Sequence, residues 1–349
     1  MSVCSAAFGS ALWLSAGVAS AEPDPAPPEP AAAPAAASAP PPAAEAAPAP
    51  AADSAPAPVA EASPAPDATP VADTKPKPPP YSLPWQLRPV APATVIRSDT
   101  AFAFDKPAGK SGSAIVSTLL GSYKIVPDFA VIARLGFVSN SPPAPANSAT
   151  TFANPVLGGL YGIKLDPSVK LGLFMAVALP LGSGSTPGSD KAKANAIAMQ
   201  ARSAFDNSMF AADYLAIFPG IDIAYIAHGF TLQAEATLFE LVKAKGPSTI
   251  DRNNTNFTTG LHAGYFIIPQ LSIGAEIRHQ RWLSTPAAVK NDATHSIRDT
   301  TTVAIGPRLH FKLSDSVWFR PGIAFAAPLD DPMKKAEYKI VQLDLPVSF

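Results

Sequence analysis

From about Trp85 onward the chain alternates, residue by residue, between apolar positions and small or polar ones. Near the C-terminus, Val341, Leu343, Leu345, Val347 and Phe349 face one way, and Gln342, Asp344, Pro346 and Ser348 the other. Val303, Ile305, Leu309, Phe311 and Leu313 alternate in the same way with Ala304, Gly306, Arg308, His310 and Lys312. Comparable runs begin at Val169, Leu215 and Phe230. A period of two is the signature of a strand with two unlike faces. Here one face is continuously apolar and the other is small or charged.

The connections fall into two kinds that alternate along the chain. Short ones lie at Val126–Asp128, Leu165–Ser168, Ala227–Gly229, Ile268–Gln270 and Leu313–Ser316. Longer ones lie near 106–111, 140–150, 183–207, 245–253, 284–297 and 330–336. Short turns at one end and long loops at the other are the pattern of an outer-membrane β-barrel, whose strand number is even in single-chain bacterial examples. Counting between connections predicts an all-β fold, a closed antiparallel transmembrane barrel of about twelve strands over 85–349, with both termini periplasmic. A soluble β-sandwich also alternates, but it does not explain the loop asymmetry or the length of the apolar faces. Tyr123, Phe129, Tyr225, Phe230, Tyr265, Phe311, Phe319 and Phe349 gather near the short turns on the apolar face, as an interfacial girdle would.

One loop has a different texture. Ser189–Asn207, SDKAKANAIAMQARSAFDN, is rich in good helix formers, and Ser189 or Asp190 can cap it. Ala194, Ile197, Ala198, Ala201, Ala204 and Phe205 recur at helical spacing. The pattern predicts a short helix in the longest extracellular loop. Two placements are open, a plug folded into the lumen and an external lid.

Composition sharpens this picture. The 349 residues carry a formal net charge of -1, with 47% hydrophobic and only 15% charged residues. Soluble domains carry about 25% charge, and nucleic-acid binders show a basic excess, so no nucleic-acid partner is expected. No stretch is long and apolar enough for a transmembrane helix, which leaves a closed barrel as the way to span a bilayer. Residues 1–21 read as a signal peptide, an apolar run ending in Ala19-Ser20-Ala21, although no Lys or Arg precedes it. Cleavage there removes Cys4, the only cysteine, and with it disulfides and thiol chemistry. Residues 22–84 are dominated by Pro and Ala and read as a disordered periplasmic linker. Residues 22–80 hold 8 acids against 2 lysines, a net −6 that leaves +5 on the remainder. The stretch is read either as a spacer or as an arm reaching a periplasmic partner.

Catalytic and metal signatures are weak. Ala108-Gly109-Lys110-Ser111 lacks the first glycine of a phosphate-binding loop, since Phe104 stands there. The five histidines form no ligand-spaced pair, so no metal or cofactor is expected. Serine–histidine enzymes exist on barrels of this size, but no such pairing can be picked out, and no catalytic residue is assigned. By parity, Arg134, Lys170, Asp222, Glu235, His262, Glu276, Arg278, Arg308, His310, Lys312, Arg320 and Asp344 point into the lumen. Such residues can form a salt-bridged core or line a pore. Many small inward residues, among them Gly172, Gly220, Gly260, Ala304 and Gly322, leave space and favour the pore.

The stretch NPVLGGLYGIKLDPSVKLGLFMAVALPLGSG, Asn154–Gly184, resembles outer-membrane channel-type proteins grouped with the phenol meta-pathway transporter family, in which a glycine-rich strand leads through a short turn into a strand closing on a Leu-Pro-x-Gly-like end. The resemblance covers about one hairpin. It implies passage of small molecules, hydrophobic ones among them, across the outer membrane. The wider resemblance is to outer-membrane barrels as a class. In that class a C-terminal strand ending in Phe is similar to the signal read by the barrel-assembly machinery, and Phe349 with Val347, Leu345, Leu343 and Val341 matches it. The expected function is a passive channel or transporter for small solutes, in contact with outer-membrane lipid. The alternative is a non-conducting structural barrel that anchors the periplasmic arm and displays loops.

Overall fold

The structure is a computed structural model, and it describes residues 81–246, 251–294 and 296–349. The signal-peptide reading and nearly all of the Pro/Ala stretch lie outside the described residues.

The strands are β1 (Val95–Asp105), β2 (Gly112–Val126), β3 (Phe129–Ser141), β4 (Ala149–Phe152), β5 (Val156–Lys164), β6 (Val169–Ala178), β7 (Tyr214–Ala227), β8 (Phe230–Lys243), β9 (Asn253–Ile268), β10 (Leu271–Trp282), β11 (Asp299–Leu309), β12 (Phe311–Lys312), β13 (Trp318–Phe319), β14 (Gly322–Pro328) and β15 (Lys339–Ser348). Sequential neighbours pair antiparallel, and β15 returns to pair with β1, from Val95 opposite Ser348 to Phe104 opposite Lys339. Three staves are interrupted, at β4–β5, β11–β12 and β13–β14. Pro155 and Pro321 sit in two of these breaks, where a residue without an N–H cannot continue the ladder. Joining each interrupted pair gives the closed twelve-strand antiparallel barrel expected from the alternation. Closure removes the sheet edge, which explains why the alternating pattern runs to the last residues: Phe349 N–H still donates to Thr94 C=O at 3.0 Å.

The five short turns fall between β2 and β3, β5 and β6, β7 and β8, β9 and β10, and β12 and β13. At the β7–β8 turn, His228 and Gly229 both adopt positive φ, the two-residue geometry that matches strand twist. The long loops all lie at the opposite end.

Burial is inverted relative to a soluble protein. Outward side chains such as Leu157, Met175, Ile221, Ile223, Leu232, Ile277, Ile305 and Ile323 are about half exposed. Inward ones such as Asp222, His262, Arg278, Gln342 and Asp344 are fully buried. Phe230 packs tilted against Tyr265 at 4.5 Å between centroids, and Phe311 stacks near Phe319 at 6.4 Å, both outside the barrel beside the short turns.

The loop between β6 and β7 carries the expected helix, α1 (Asp190–Ala201), followed by the single turn α2 (Asn207–Phe210). Ser189 is the cap, its Oγ accepting the Ala192 N–H at 3.2 Å. The two placements left open by the sequence resolve to the inner one. Ala194, Ala198 and Ala201 have no exposed surface, and they pack in one cluster with the inward residues Ala101, Ala103, Ala114, Val116 and Val138. A third short helix, α3 (Ala287–Asn291), lies in the loop after β10.

Candidate functional site: a lumen filled from both ends

Among the described residues, two segments that are not part of the wall fill most of the barrel interior. The first precedes β1. Tyr81–Ala93 enters at the short-turn end, where the Tyr81 hydroxyl donates to Gln233 Oε1 at 2.6 Å and Ser82 N–H to Thr231 Oγ1 at 3.0 Å. It bends near Trp85–Leu87 and returns to β1. Trp85 is 1% exposed and Leu87 0%. Tyr81–Pro84, which composition groups with the linker, and the residues up to Thr94, grouped with the barrel, form this single inserted segment.

The wall grips the segment through charged and amide side chains. Glu276 accepts the backbone N–H groups of Trp85 and Gln86, the latter at 3.1 Å to Oε1. Glu235 accepts Arg88 N–H at 2.6 Å and pairs with the Arg88 guanidinium. Gln233 Nε2 donates to Arg88 C=O at 2.6 Å. Arg97 donates to the carbonyls of Pro84, at 3.0 Å, and Trp85. The Trp85 ring lies under the Arg308 guanidinium at 4.4 Å, and Arg88 lies over Phe174 at 4.1 Å.

The second inserted segment is the loop 179–213. Arg202, 1% exposed, bridges Asp99 of β1 at 2.8 Å and Asp206 at 3.0 Å. Asp206 also receives Arg134 at 2.7 and 3.1 Å. Arg278 Nη1 reaches Ser203 Oγ at 3.4 Å. Asn154, in the β4–β5 break, donates to Ala211 C=O at 2.7 Å and accepts Gly182 N–H at 2.9 Å. These contacts fasten the loop to the inner wall at several heights.

The two segments meet at Gly260. A Cβ built there would lie 2.7 Å from Leu87 Cδ1 and 3.3 Å from Phe205 Cζ, so only glycine leaves room for both. What remains between them is a cavity of ≈ 40 Å³ lined by Arg88, Arg97, Arg134 and Arg202 with Phe174 and Phe218. That is room for a few waters.

Of the residues singled out by parity, Asp222, Glu235, His262, Glu276, Arg278, Arg308 and His310 lie buried on the inner face, and Arg134 is nearly so. Arg308 pairs with Asp344 at 2.5 Å, Arg278 with Glu276 at 2.9 Å, and His262 Nδ1 stands 3.6 Å from Glu276. His310 Nε2 is 2.9 Å from Ser272 Oγ. Lys170 and Arg320 sit only partly buried toward the short-turn rim, Arg320 over the Trp318 ring at 5.3 Å. Lys312 departs from the parity set: it is half exposed at the β12–β13 turn and pairs with Asp315 at 2.6 Å, because the stave breaks at His310 and the chain leaves the lumen there. The space that small inward residues were expected to leave is present, but it is occupied by the two segments. Arg97, Asp99, Arg88, Arg202 and Asp206 complete the network and were not singled out from sequence. Arg97 and Asp99 were within reach of the same parity rule; Arg88, Arg202 and Asp206 lie outside strands, where parity gives no direction.

No protein-family model matches the chain, and no curated protein matches its sequence. Solved structures similar to it include an outer membrane channel from Pseudomonas putida F1, at 10% identity over 76% of this chain and 98% of that one, with a TM-score of 0.49. The KdgM porin in complex with disordered oligogalacturonate is similar at 9% identity over 72% and 99%, TM-score 0.42. So is the translocator domain of the autotransporter NalP from Neisseria meningitidis, at 11% identity over 76% and 90%, TM-score 0.42.

Proposed function

We propose that the chain is an outer-membrane β-barrel that provides a gated passage for small solutes and is closed in this conformation. The apolar outer belt with aromatic residues at the short-turn end supports a lipid environment, since burying such a belt in hydrocarbon removes it from water. On this reading the short turns face the periplasm, Phe349 serves the barrel-assembly machinery, and the Pro/Ala stretch lies on the periplasmic side.

The observation that carries the passage is what fills the lumen. A narrow solid barrel, of about eight strands, packs its interior with side chains from its own wall. Here many inward wall positions are glycine or alanine, including Ala101, Ala216, Ala224, Gly260, Gly264, Ala304 and Ala324. The volume is taken by segments that could leave without breaking a wall ladder. Pore-facing charges set selectivity without any catalytic step. Because Arg278 and Arg308 stay matched by Glu276 and Asp344 on the wall, a preference for anions rests on Arg134, which loses Asp206 when the loop leaves, and on Lys170 and Arg320 at the rim. Recording in planar bilayers tests the passage. Deleting Asp190–Ala204 should raise conductance over the full chain, and silence from both proteins, when fully inserted, would overturn the proposal.

The second reading is a non-conducting barrel that anchors the Pro/Ala stretch. The near-complete pairing of lumen charges favours it, and the same silence would support it.

A further inference from the structure

The contacts between the wall and Tyr81–Ala93 are directed mainly at the segment's backbone. Glu276 and Glu235 take N–H groups of Trp85, Gln86 and Arg88. Gln233, Arg97 and Gln342 give hydrogen bonds to the carbonyls of Arg88, Pro84 and Trp85. The donors and acceptors come from β1, β8, β10 and β15, so four strands of the wall converge on one short peptide. Two side chains enter fitted places: Trp85 over Gly322, whose notional Cβ would lie 2.5 Å from the ring, and Leu87 against Gly260. Pro84, Pro89 and Pro92 bring no N–H that would need a partner. The segment joins no strand ladder. It is held as a bound peptide is held.

The two inserted segments also differ in how they are tied. The loop 179–213 is anchored in the wall at both ends, by β6 and β7. Among the described residues, Tyr81–Ala93 continues into the wall at Thr94 alone, and Tyr81 and Ser82 sit beside Gln233, Thr231 and Ser272 at the short-turn ends of β8 and β10. Withdrawal from Tyr81 would break the segment's contacts one after another along the chain.

We propose that the inner wall of the short-turn half is a peptide-binding site whose ligand is the chain's own Tyr81–Ala93, and that this segment is a releasable stopper. The inference rests on the gated-passage reading and deepens it. With the segment out, Glu235, Glu276, Arg97 and Arg308 line open space, and the site takes a proline-containing extended peptide of the same sequence in trans.

Two experiments on the full chain test this. The first is a lock, Leu87→Cys with Gly260→Cys, in a protein whose only natural cysteine is Cys4. Leu87 Cγ lies 3.1 Å from a Cβ at 260, which puts the two Cβ atoms within disulfide reach. Oxidation should form the bond and abolish channel openings, and reduction should restore them. The second is a protease site inserted between Ala93 and Thr94 and cut after assembly in vesicles. Cutting turns an intramolecular ligand, at an effective concentration on the order of millimolar, into a free peptide. Washing should release it and raise conductance above that of the uncut barrel, and added synthetic peptide 81–93 should bind and lower it again. Absence of the disulfide, or a cut barrel that neither loses nor rebinds the peptide, would overturn the stopper even if deletion of Asp190–Ala204 gives conductance. If no form conducts, the passage reading falls, and release and rebinding of labelled peptide 81–93 still decide the binding site.

Discussion

Arg202 is the place where the loop 179–213 depends most on one side chain, and Arg202→Ala is the perturbation that exposes it. Its guanidinium reaches Asp99 on the wall and Asp206 within the loop, and it is buried. Removing one partner of a buried ion pair costs about 3–5 kcal/mol, because the remaining charges lose their compensation. Asp206 retains Arg134, and Asp99 retains Gln342 at 3.0 Å, which places the expected cost at the lower end, about 3 kcal/mol. The wall ladder is untouched, so the loss falls on loop docking rather than on the barrel. At about 1.4 kcal/mol per tenfold, 3 kcal/mol raises the population of the undocked loop about 100-fold. The assay is limited chymotrypsin digestion of the folded barrel, since Phe205 and Phe210 are each 1% exposed and can be cut only when the loop leaves the lumen. The nicking rate should rise by about the same factor while the barrel resists heat as before. Adding Asp99→Asn should recover part of the loss by removing the uncompensated carboxylate. A nicking rate in Arg202→Ala within about threefold of the wild type would refute the reasoning, because the network would then contribute almost nothing to docking.

Three other outcomes follow from the same geometry. Ile277→Arg places a charge on the lipid side near the middle of β10 and should cost about 2–4 kcal/mol in reversible folding into vesicles; Ile277→Val should cost about 1 kcal/mol or less, and equal costs would show that this face does not meet hydrocarbon. Phe349→Asp should lower the assembled fraction in cells, and normal assembly would remove the assembly-signal role while leaving the barrel intact. In the loop after β10, partial burial opposes ionisation of Asp292, but hydrogen bonds from the Thr294 hydroxyl, the Thr294 and Ile297 N–H groups and Ser296 hold its carboxyl at about 2. A lowered value means the loop's order is fully present above about pH 4 and is lost as pH falls through about 2, so protection of the Ile297 amide against exchange, measured relative to an unstructured peptide at the same pH, should fall over that window and stay constant from pH 5 to 8.

The wall was legible because period-two alternation is dictated by which side of each strand meets which medium. Ile221, Ile223 and Tyr225 against Asp222 and Ala224 can be arranged in only one way once one face is apolar. The helix at Asp190–Ala201 was legible from local propensity and its Ser189 cap. Its direction was not, because a helix with alanine on most faces carries little amphipathic bias; what draws it inward is the Asp99–Arg202–Asp206–Arg134 chain of ion pairs, formed between residues far apart in sequence. The inserted Tyr81–Ala93 was hidden for a related reason. YSLPWQLRPVAP has no strand or helix period, and its proline content continues the preceding stretch, so composition alone groups its start with the linker. Trp85, Leu87 and Val90, apolar residues set among prolines, are the hint that something there is buried.

The central claim is that this barrel meets lipid on its apolar face and chain, not open water, on its inner face. Single cysteines in a Cys4-free background test it directly, with Ala101, Ala216, Ala304 and Ala324 replaced on the inside and Ile221, Ile223, Ile305 and Ile323 on the outside. In vesicle-inserted protein, bimane attached to the outer cysteines before insertion should be quenched by brominated lipid chains, and the inner cysteines should resist a water-soluble maleimide added from either side. Inner cysteines that label as fast as a free thiol would show an open aqueous lumen and contradict the account.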